Sequence, residues 1–369
     1  MHNGESSVDK IREIINQTFS NSIIINPRLV CEMSIINAIN NELISKKDLL
    51  IAIQLEPDIF DSTTIKRMID RGVLSFSDLE DIGIRGSILT KLSKGIIKNI
   101  PYIEPFKKLE RRTNQIYFWG LPNSGKTCAL GAIMHSAHNM ASFKTTLETN
   151  SQGYHYMNHL ISSFNYESLP TFSNAIDDLI EMSMNVEYKD IKHPITFFDF
   201  SGDILTIIYK SIILGAKLTD SQEFVLDRIT TILKDDSQRK THVFVIEYDA
   251  EENTFWRVPR QIYLNSVLEY LDSNGILKSS TDSIYLLITK VDKIDKHCNE
   301  LNNIVKEYVS ENYRALYNNI EDISKRYCLR KPLIIPFSIG KVFFQEYVEF
   351  NHTYATYFFK ELIYNICCS

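Results

Sequence analysis

The chain has 369 residues and carries 40 lysines and arginines against 46 aspartates and glutamates, a formal charge of −6. Its hydrophobic fraction of 44% is enough for two cores, or for one large domain with an appendage. The acidic balance argues against a protein built chiefly to neutralise a phosphate backbone, and no sequence-specific nucleic-acid partner is expected. The six cysteines are scattered and form no C-x-x-C pair with a matching histidine cluster, so neither a zinc knuckle nor a disulfide scaffold is expected. The opening residues lack a secretion signal, and apolar runs such as 195–198 and 284–288 are too short to cross a bilayer. A cytoplasmic chain without integral membrane association is therefore the expectation.

Residues 1–100 read as helical. Ile11, Ile15 and Phe19, then Met33, Ile36, Ile39 and Leu43, recur at steps of three and four, the spacing of helices with one buried face. Two stretches, 43–49 and 73–79, align with each other. In each a serine stands three residues before an aspartate (Ser45 and Asp48, Ser75 and Asp78), which predicts a serine N-cap with an acid in the first turn. Gly72, Gly83 and Gly86 mark turns. Two copies are too few for a solenoid, so the reading is a compact helical domain over 1–100, suited to contacts with other proteins. Pro101 and Pro105 break the pattern, and the basic stretch from Lys107 to Arg112 completes a linker over 101–112.

From 113 onward the pattern alternates. Apolar, β-branched and aromatic runs predict strands over 115–119, 195–200, 243–248, 284–289 and 333–337. Helical spacing falls between and after them, over 130–135, 205–214, 262–271, 301–327 and 357–366. Strands that alternate with helices predict one α/β domain over 113–369, with a mostly parallel sheet and helices on both faces.

Three segments of that domain carry chemistry. Gly120-Leu121-Pro122-Asn123-Ser124-Gly125-Lys126-Thr127 fits G-x-x-x-x-G-K-S/T between a predicted strand and a predicted helix. Gly120 and Gly125 allow a backbone turn in which the amides of residues such as Asn123 and Ser124 converge on phosphate oxygens. The helix that follows, with Cys128 in its first turn, offers its unpaired amides to the same anion. Lys126 can reach between the β- and γ-phosphates, and the Thr127 hydroxyl can ligate Mg²⁺. Asp199-Phe200-Ser201-Gly202 ends the second strand: Asp199 can hold the water shell of the magnesium, and the Gly202 amide can face the γ-phosphate. Thr289-Lys290-Val291-Asp292 ends a later strand. The Asp292 carboxylate can accept paired hydrogen bonds from guanine N1–H and the 2-amino group, while adenine would leave it unpaired. The aliphatic stem of Lys290 can cover the base.

This ordered set resembles the translation-factor and Ras-like class of P-loop GTPases. Within that class, 118–127 and 198–203 are most similar to bacterial double-GTPase-type proteins of multi-component systems. The resemblance covers about 113–340 and implies a Ras-like P-loop NTPase domain that binds GTP or GDP with Mg²⁺ and hydrolyses GTP slowly. It implies metal contacts at Thr127 and Asp199 and catalytic roles for Lys126 and Asp203. It also implies a magnesium-sensing threonine, for which Thr145, Thr146 and Thr171 are candidates and Thr171 is preferred. Thr289 stands for the usual asparagine of the base motif, and its hydroxyl can still tie that strand to the phosphate loop. Ser338 stands for the small residue whose backbone touches the guanine oxygen. Asp203 replaces a water-orienting glutamine, which predicts slow turnover, and Pro122 replaces a glycine kept free for an arginine finger. Phe255-Trp256-Arg257 is read as a partner ridge or a packed anchor, with Arg257 or Arg260 conceivable as an in-chain finger. The helical region would then meet a regulatory or effector protein, in the setting of a bacterial defence or conflict system. The alternatives are an ATP-dependent P-loop enzyme and a nucleotide-binding scaffold that does not hydrolyse.

Overall fold

The computed structural model describes residues 7–15, 27–95, 112–170, 179–250, 253–278, 280–294 and 298–367. It divides into two compact units. One takes in Met1–Asn99 together with Glu167–Leu169 and Lys341–Glu349; the other takes in Ile100–Tyr166, Pro170–Gly340 and Phe350–Ser369. The linker reading of 101–112 falls, apart from Arg112, outside the described residues.

The first unit is built from short helices: α1 (7–15), α2 (Pro27–Asn40), α3 (Lys46–Leu55), α4 (Ser62–Asp70), α5 (Phe76–Asp81) and α6 (Gly86–Lys94). Ser45 and Ser75 cap α3 and α5, each in a reciprocal box with Asp48 or Asp78. Asp61 caps α4 by accepting from the Thr64 amide at 2.9 Å. The same arrangement surrounds every one of these caps, and Arg85 before α6 as well. An apolar residue immediately before the cap and another four residues after it are both buried, in the pairs Ile44 and Leu49, Phe60 and Ile65, Leu74 and Leu79, and Ile84 and Leu89. That is the spacing of a hydrophobic staple, which fixes the angle at which the chain enters a helix. The recurrence seen twice in the sequence thus extends over four helix starts. The unit is completed from far along the chain. Phe343, Phe344 and Tyr347 join its apolar cluster. The Phe344 amide donates to the Pro57 carbonyl at 2.8 Å, and the Gln345 side chain to the Asp58 carbonyl at 2.9 Å. Ser62 donates to the Glu346 carboxylate. Glu167–Leu169 pairs with the same hairpin, the Leu169 amide donating to the Glu346 carbonyl at 2.7 Å.

The second unit runs β1 (Asn114–Trp119), α7 (Lys126–Asn139), β2 (Lys144–Leu147), α8 (Tyr154–Asn165), β3 (Leu179–Tyr188), β4 (Ile191–Phe200), α9 (Asp203–Ile212), α10 (Asp220–Leu233) and β5 (Arg239–Glu247). A two-residue ladder, β6 (Thr254–Phe255) with β7 (Val258–Pro259), precedes α11 (Arg260–Ser273), β8 (Thr281–Thr289) and a single 3-10 turn (Val291–Lys293). Then come α12 (Cys298–Asn312), α13 (Arg314–Arg326), β9 (Leu333–Pro336) and α14 (His352–Cys367); between the last two lie the hairpin strands β10 (Gly340–Phe343) and β11 (Tyr347–Phe350), which over Lys341–Glu349 belong to the first unit.

Seven strands form one sheet in the order β2-β3-β4-β1-β5-β8-β9. From β4 to β9 neighbours are parallel, while β3 runs antiparallel to both β4 and β2. The five strands expected from sequence are the five contiguous parallel ones; β2 and β3 extend the sheet beyond them. Alternate side chains go to opposite faces, as the pleat requires. Tyr117, Trp119, Phe198 and Phe200 pack with residues of α9, α11 and α13 in one cluster, whereas Phe118 and Tyr285 meet Phe358 of α14. Helices therefore cover both faces of a mixed, mostly parallel sheet. The helical region 301–327 is two helices broken at Tyr313, which opens α13. Among the described residues no helix is long and apolar enough to cross a membrane.

Candidate functional site

The carboxyl ends of β1, β4, β5 and β8 lie side by side, and the turns that leave them carry the motif residues. After Trp119 the chain bends at Gly120. A Cβ there would stand 2.6 Å from Ser124 Oγ and 3.1 Å from Val245 Cβ, so the loop closes only over a glycine. Asn123 and Gly125 take positive φ of 64° and 81°, and Gly125 caps α7 without a side-chain hydrogen bond. The first amides of α7 are therefore uncapped, and Ser124 Oγ is buried beside them with no partner. Uncapped amides next to an orphaned hydroxyl donor are a fit for anionic oxygens.

The parallel register places Asp199 opposite Phe118, next to this loop. Consecutive residues at the start of α7 take its two oxygens. Lys126 Nζ lies 2.8 Å from Oδ1, and the Thr127 hydroxyl donates to Oδ2 at 3.0 Å. Lys126 also donates to the Phe200 carbonyl, and its side chain is 9% exposed. A hydroxyl and a carboxylate held side by side are the hard oxygen donors that Mg²⁺ prefers. Gly202 packs directly on the loop: a Cβ there would come within 2.5 Å of the Pro122 nitrogen. Asp203 follows as the first residue of α9, in the turn where helix amides favour a negative charge. Burial pushes the Cys128 thiol up to about 12, with Lys290 opposing and Asp199 adding to the shift. A thiol so held is inert, which leaves Cys128 its backbone amide as the group it can offer.

The Thr289 hydroxyl donates to the Ser124 carbonyl at 2.6 Å and lies 3.2 Å from the Ile246 carbonyl, so the end of β8 is tied to the 120–127 loop. Lys290 follows in a left-handed conformation, φ 60°, with Nζ 2.6 Å from Glu247 Oε1. Asp292 is exposed on the 3-10 turn, and the buried Ser338 donates to its Oδ1 at 2.6 Å. The Gly340 amide in turn donates to Ser338 Oγ at 2.9 Å. The resemblance implies a backbone role for Ser338; the bond the structure shows is from its hydroxyl, which aims the Asp292 carboxylate.

Glu247 escaped the sequence reading. Its one signal is an acid ending an apolar strand, and its partners emerge only from strand pairing. Arg260 Nη1 lies 3.4 Å from Glu247 Oε2, so this arginine is engaged at the base of α11. Trp256 and Arg257, both at positive φ, form the turn between β6 and β7, with Trp256 79% exposed. The Thr145 hydroxyl donates to the Ala137 carbonyl at 2.9 Å, and Thr146 lies with it in β2. Thr171 lies outside the described residues.

No protein-family model matches the chain, and no curated protein does. Among solved structures, Roco2 RocCORdC of Methanosarcina barkeri bound to GDP is 11% identical, over 75% of this chain and 53% of its own, with a TM-score of 0.32. The signal recognition particle receptor SRb-GTP/SRX complex of Chaetomium thermophilum is 8% identical, over 68% of this chain and 99% of its own, with a TM-score of 0.37. The chain spans about half the length of the first of these. At these values the likeness is a distant one.

Proposed function

We propose that the chain is a GTP-binding protein of the translation-factor and Ras-like class, most like the bacterial double-GTPase-type proteins, that hydrolyses GTP slowly and thereby switches its contacts with other proteins. The observation that carries this reading is the convergence of Lys126 and Thr127 on the two oxygens of Asp199, beside a loop of uncapped amides. In the loaded site Thr127 and Asp199 would hold Mg²⁺, and the ion would supply neutralising charge to the β- and γ-phosphates. The amides of Gly120, of Asn123 to Cys128 and of Gly202 would hold phosphate oxygens. Lys126 leaves one anion for another when it turns from Asp199 to a phosphate, so its charge stays paired. Asp292, aimed by Ser338, would read the guanine edge, with the stem of Lys290 against the ring and Thr289 holding that strand to the loop. Asp203 would face the attacking water; its negative charge near the γ-phosphate supports slow turnover. Thr171 is proposed as the magnesium-sensing threonine. The helical unit would pass the nucleotide state to a regulatory or effector protein in the cytoplasm, in the setting of a bacterial defence or conflict system.

The test is a competition between GTP and ATP for the full chain with Mg²⁺ present, repeated with Asp292→Ala. GTP is expected to win, and Asp292→Ala is expected to cost GTP roughly a hundredfold while leaving ATP little changed. A wild-type preference for ATP, or equal losses for both nucleotides, would sink guanine reading. A second reading, a scaffold that binds GTP without turnover, draws on Asp203 at the position of the usual glutamine. Single-turnover hydrolysis with and without cell extract separates the two.

A further inference from the structure

Glu247 belongs to none of the motifs above, yet it stands where the base-side loop and the start of α11 meet. In the β5–β8 register it faces Thr289, and its side chain is 10% exposed. Its two oxygens go to different cations, Oε1 to Lys290 at 2.6 Å and Oε2 to Arg260 at 3.4 Å. The backbone around it is pinned from both sides. The Glu247 carbonyl accepts from the Tyr308 hydroxyl at 3.1 Å, and the next amide, that of Tyr248, donates to the Thr289 carbonyl at 2.9 Å. The carboxylate thus has a fixed direction.

Lys290 is the opposite case. It is a long, partly exposed side chain on a residue at φ 60°, where a lysine gains nothing locally by keeping one pose. What holds it is a charge-assisted hydrogen bond to a poorly solvated acid. Arg260 on the second oxygen balances the acid, which would otherwise add negative charge to a phosphate site.

We infer that Glu247 is a positioning residue for the nucleotide: it holds the ammonium of Lys290 so that the aliphatic stem of that lysine lies along the purine and slows nucleotide release. This rests on the proposed GTP site. Glu247 acts through Lys290 and not on the base edge, so it governs how long the nucleotide stays, while Asp292 governs which purine is chosen.

The experiment follows release of a fluorescent GDP from the full chain with Mg²⁺, in wild type, Glu247→Gln, Lys290→Ala and the double variant, with the GTP-to-ATP preference measured alongside. Glu247→Gln is expected to speed release about tenfold with the purine preference unchanged, since interface changes act mainly on the off-rate. In the Lys290→Ala background the same change is expected to add nothing, because the two residues act as one unit. Should Glu247→Gln not fold, Lys290→Gln at the more exposed partner gives the same acceleration. Unchanged release in the folded Glu247→Gln variant, or an equal further acceleration in the double variant, overturns this inference and leaves the GTP site standing. A wild-type chain that binds no GTP overturns both.

Discussion

In the helical unit the hydrogen bonds that start the helices join residues three apart, Ser45 with Asp48, Asp61 with Thr64 and Ser75 with Asp78. At the carboxyl edge of the sheet the joining residues stand 72, 165 and 46 positions apart, as Thr127 with Asp199, Thr289 with Ser124 and Ser338 with Asp292. The first design is local and repeated: α3, α4 and α5 each carry their own cap and their own pair of apolar flanks, so one lost cap leaves its neighbours intact. The second is assembled once, from side chains that meet only when the sheet is in register. There one deletion strands a buried partner. The two regions should therefore respond to substitution in different currencies, stability in the first and ligand binding in the second.

The sharpest way to break that contrast is Lys126→Ala. It leaves Asp199 buried without its cation, and the expected outcome is loss of nucleotide binding with a fall in stability of about 3 kcal/mol, read by nucleotide titration and urea denaturation. Unimpaired affinity would remove the central assignment. Leu79→Ala removes a fully buried staple residue of α5. A loss of about 2–4 kcal/mol is expected in the helical unit, with GTP affinity kept, and a parallel collapse of affinity would erase the division between the regions. Gly202→Ala drives a Cβ into the backbone of Pro122, which cannot swing aside. It should cost about 1–3 kcal/mol and slow single-turnover hydrolysis. Ser75→Ala, by contrast, should cost about 1 kcal/mol by thermal melting and leave nucleotide binding untouched.

The smallest effect concerns pH. The Ser45 hydroxyl and amide, with the Ser7 hydroxyl, hold the Asp48 carboxyl at about 2, below its ordinary 3.8. Because the folded value is the lower one, the contribution is complete above about 4 and drains away as pH falls through the range between these values. Helical signal followed by circular dichroism should decline in that window, and Asp48→Asn should flatten the decline.

What the sequence disclosed follows the same division. The 120–127 loop, Asp199-Phe200-Ser201-Gly202 and Thr289-Lys290-Val291-Asp292 could be read because each is contiguous and follows or ends an apolar strand. Ser45 and Ser75 could be read because their acids stand three residues on. The cap at Asp61 was hidden, as the residue three on is Thr64 and not an acid, and so was the Arg85 turn, which has no side-chain cap bond. β3 escaped although polar and apolar residues alternate over 181–187, because methionine, serine and glutamate lack the β-branched and aromatic character of the other strands; Glu181 and Ser183 are buried in it alongside Met182 and Met184. The aromatic side chains of 343–347 gave no hint of joining helices near the start of the chain. Glu247 and Arg260 meet through tertiary packing, which no local pattern encodes.

The mixed parentage of the helical unit sets an order of events during synthesis. Its described helices precede the sheet in the chain, but Phe343, Phe344 and Tyr347, which share their apolar cluster, are made only after the last strand of the sheet, Leu333–Pro336. These helices are thus made before the sheet yet finished after it, and a nascent chain halted within the sheet carries them with an open, greasy flank.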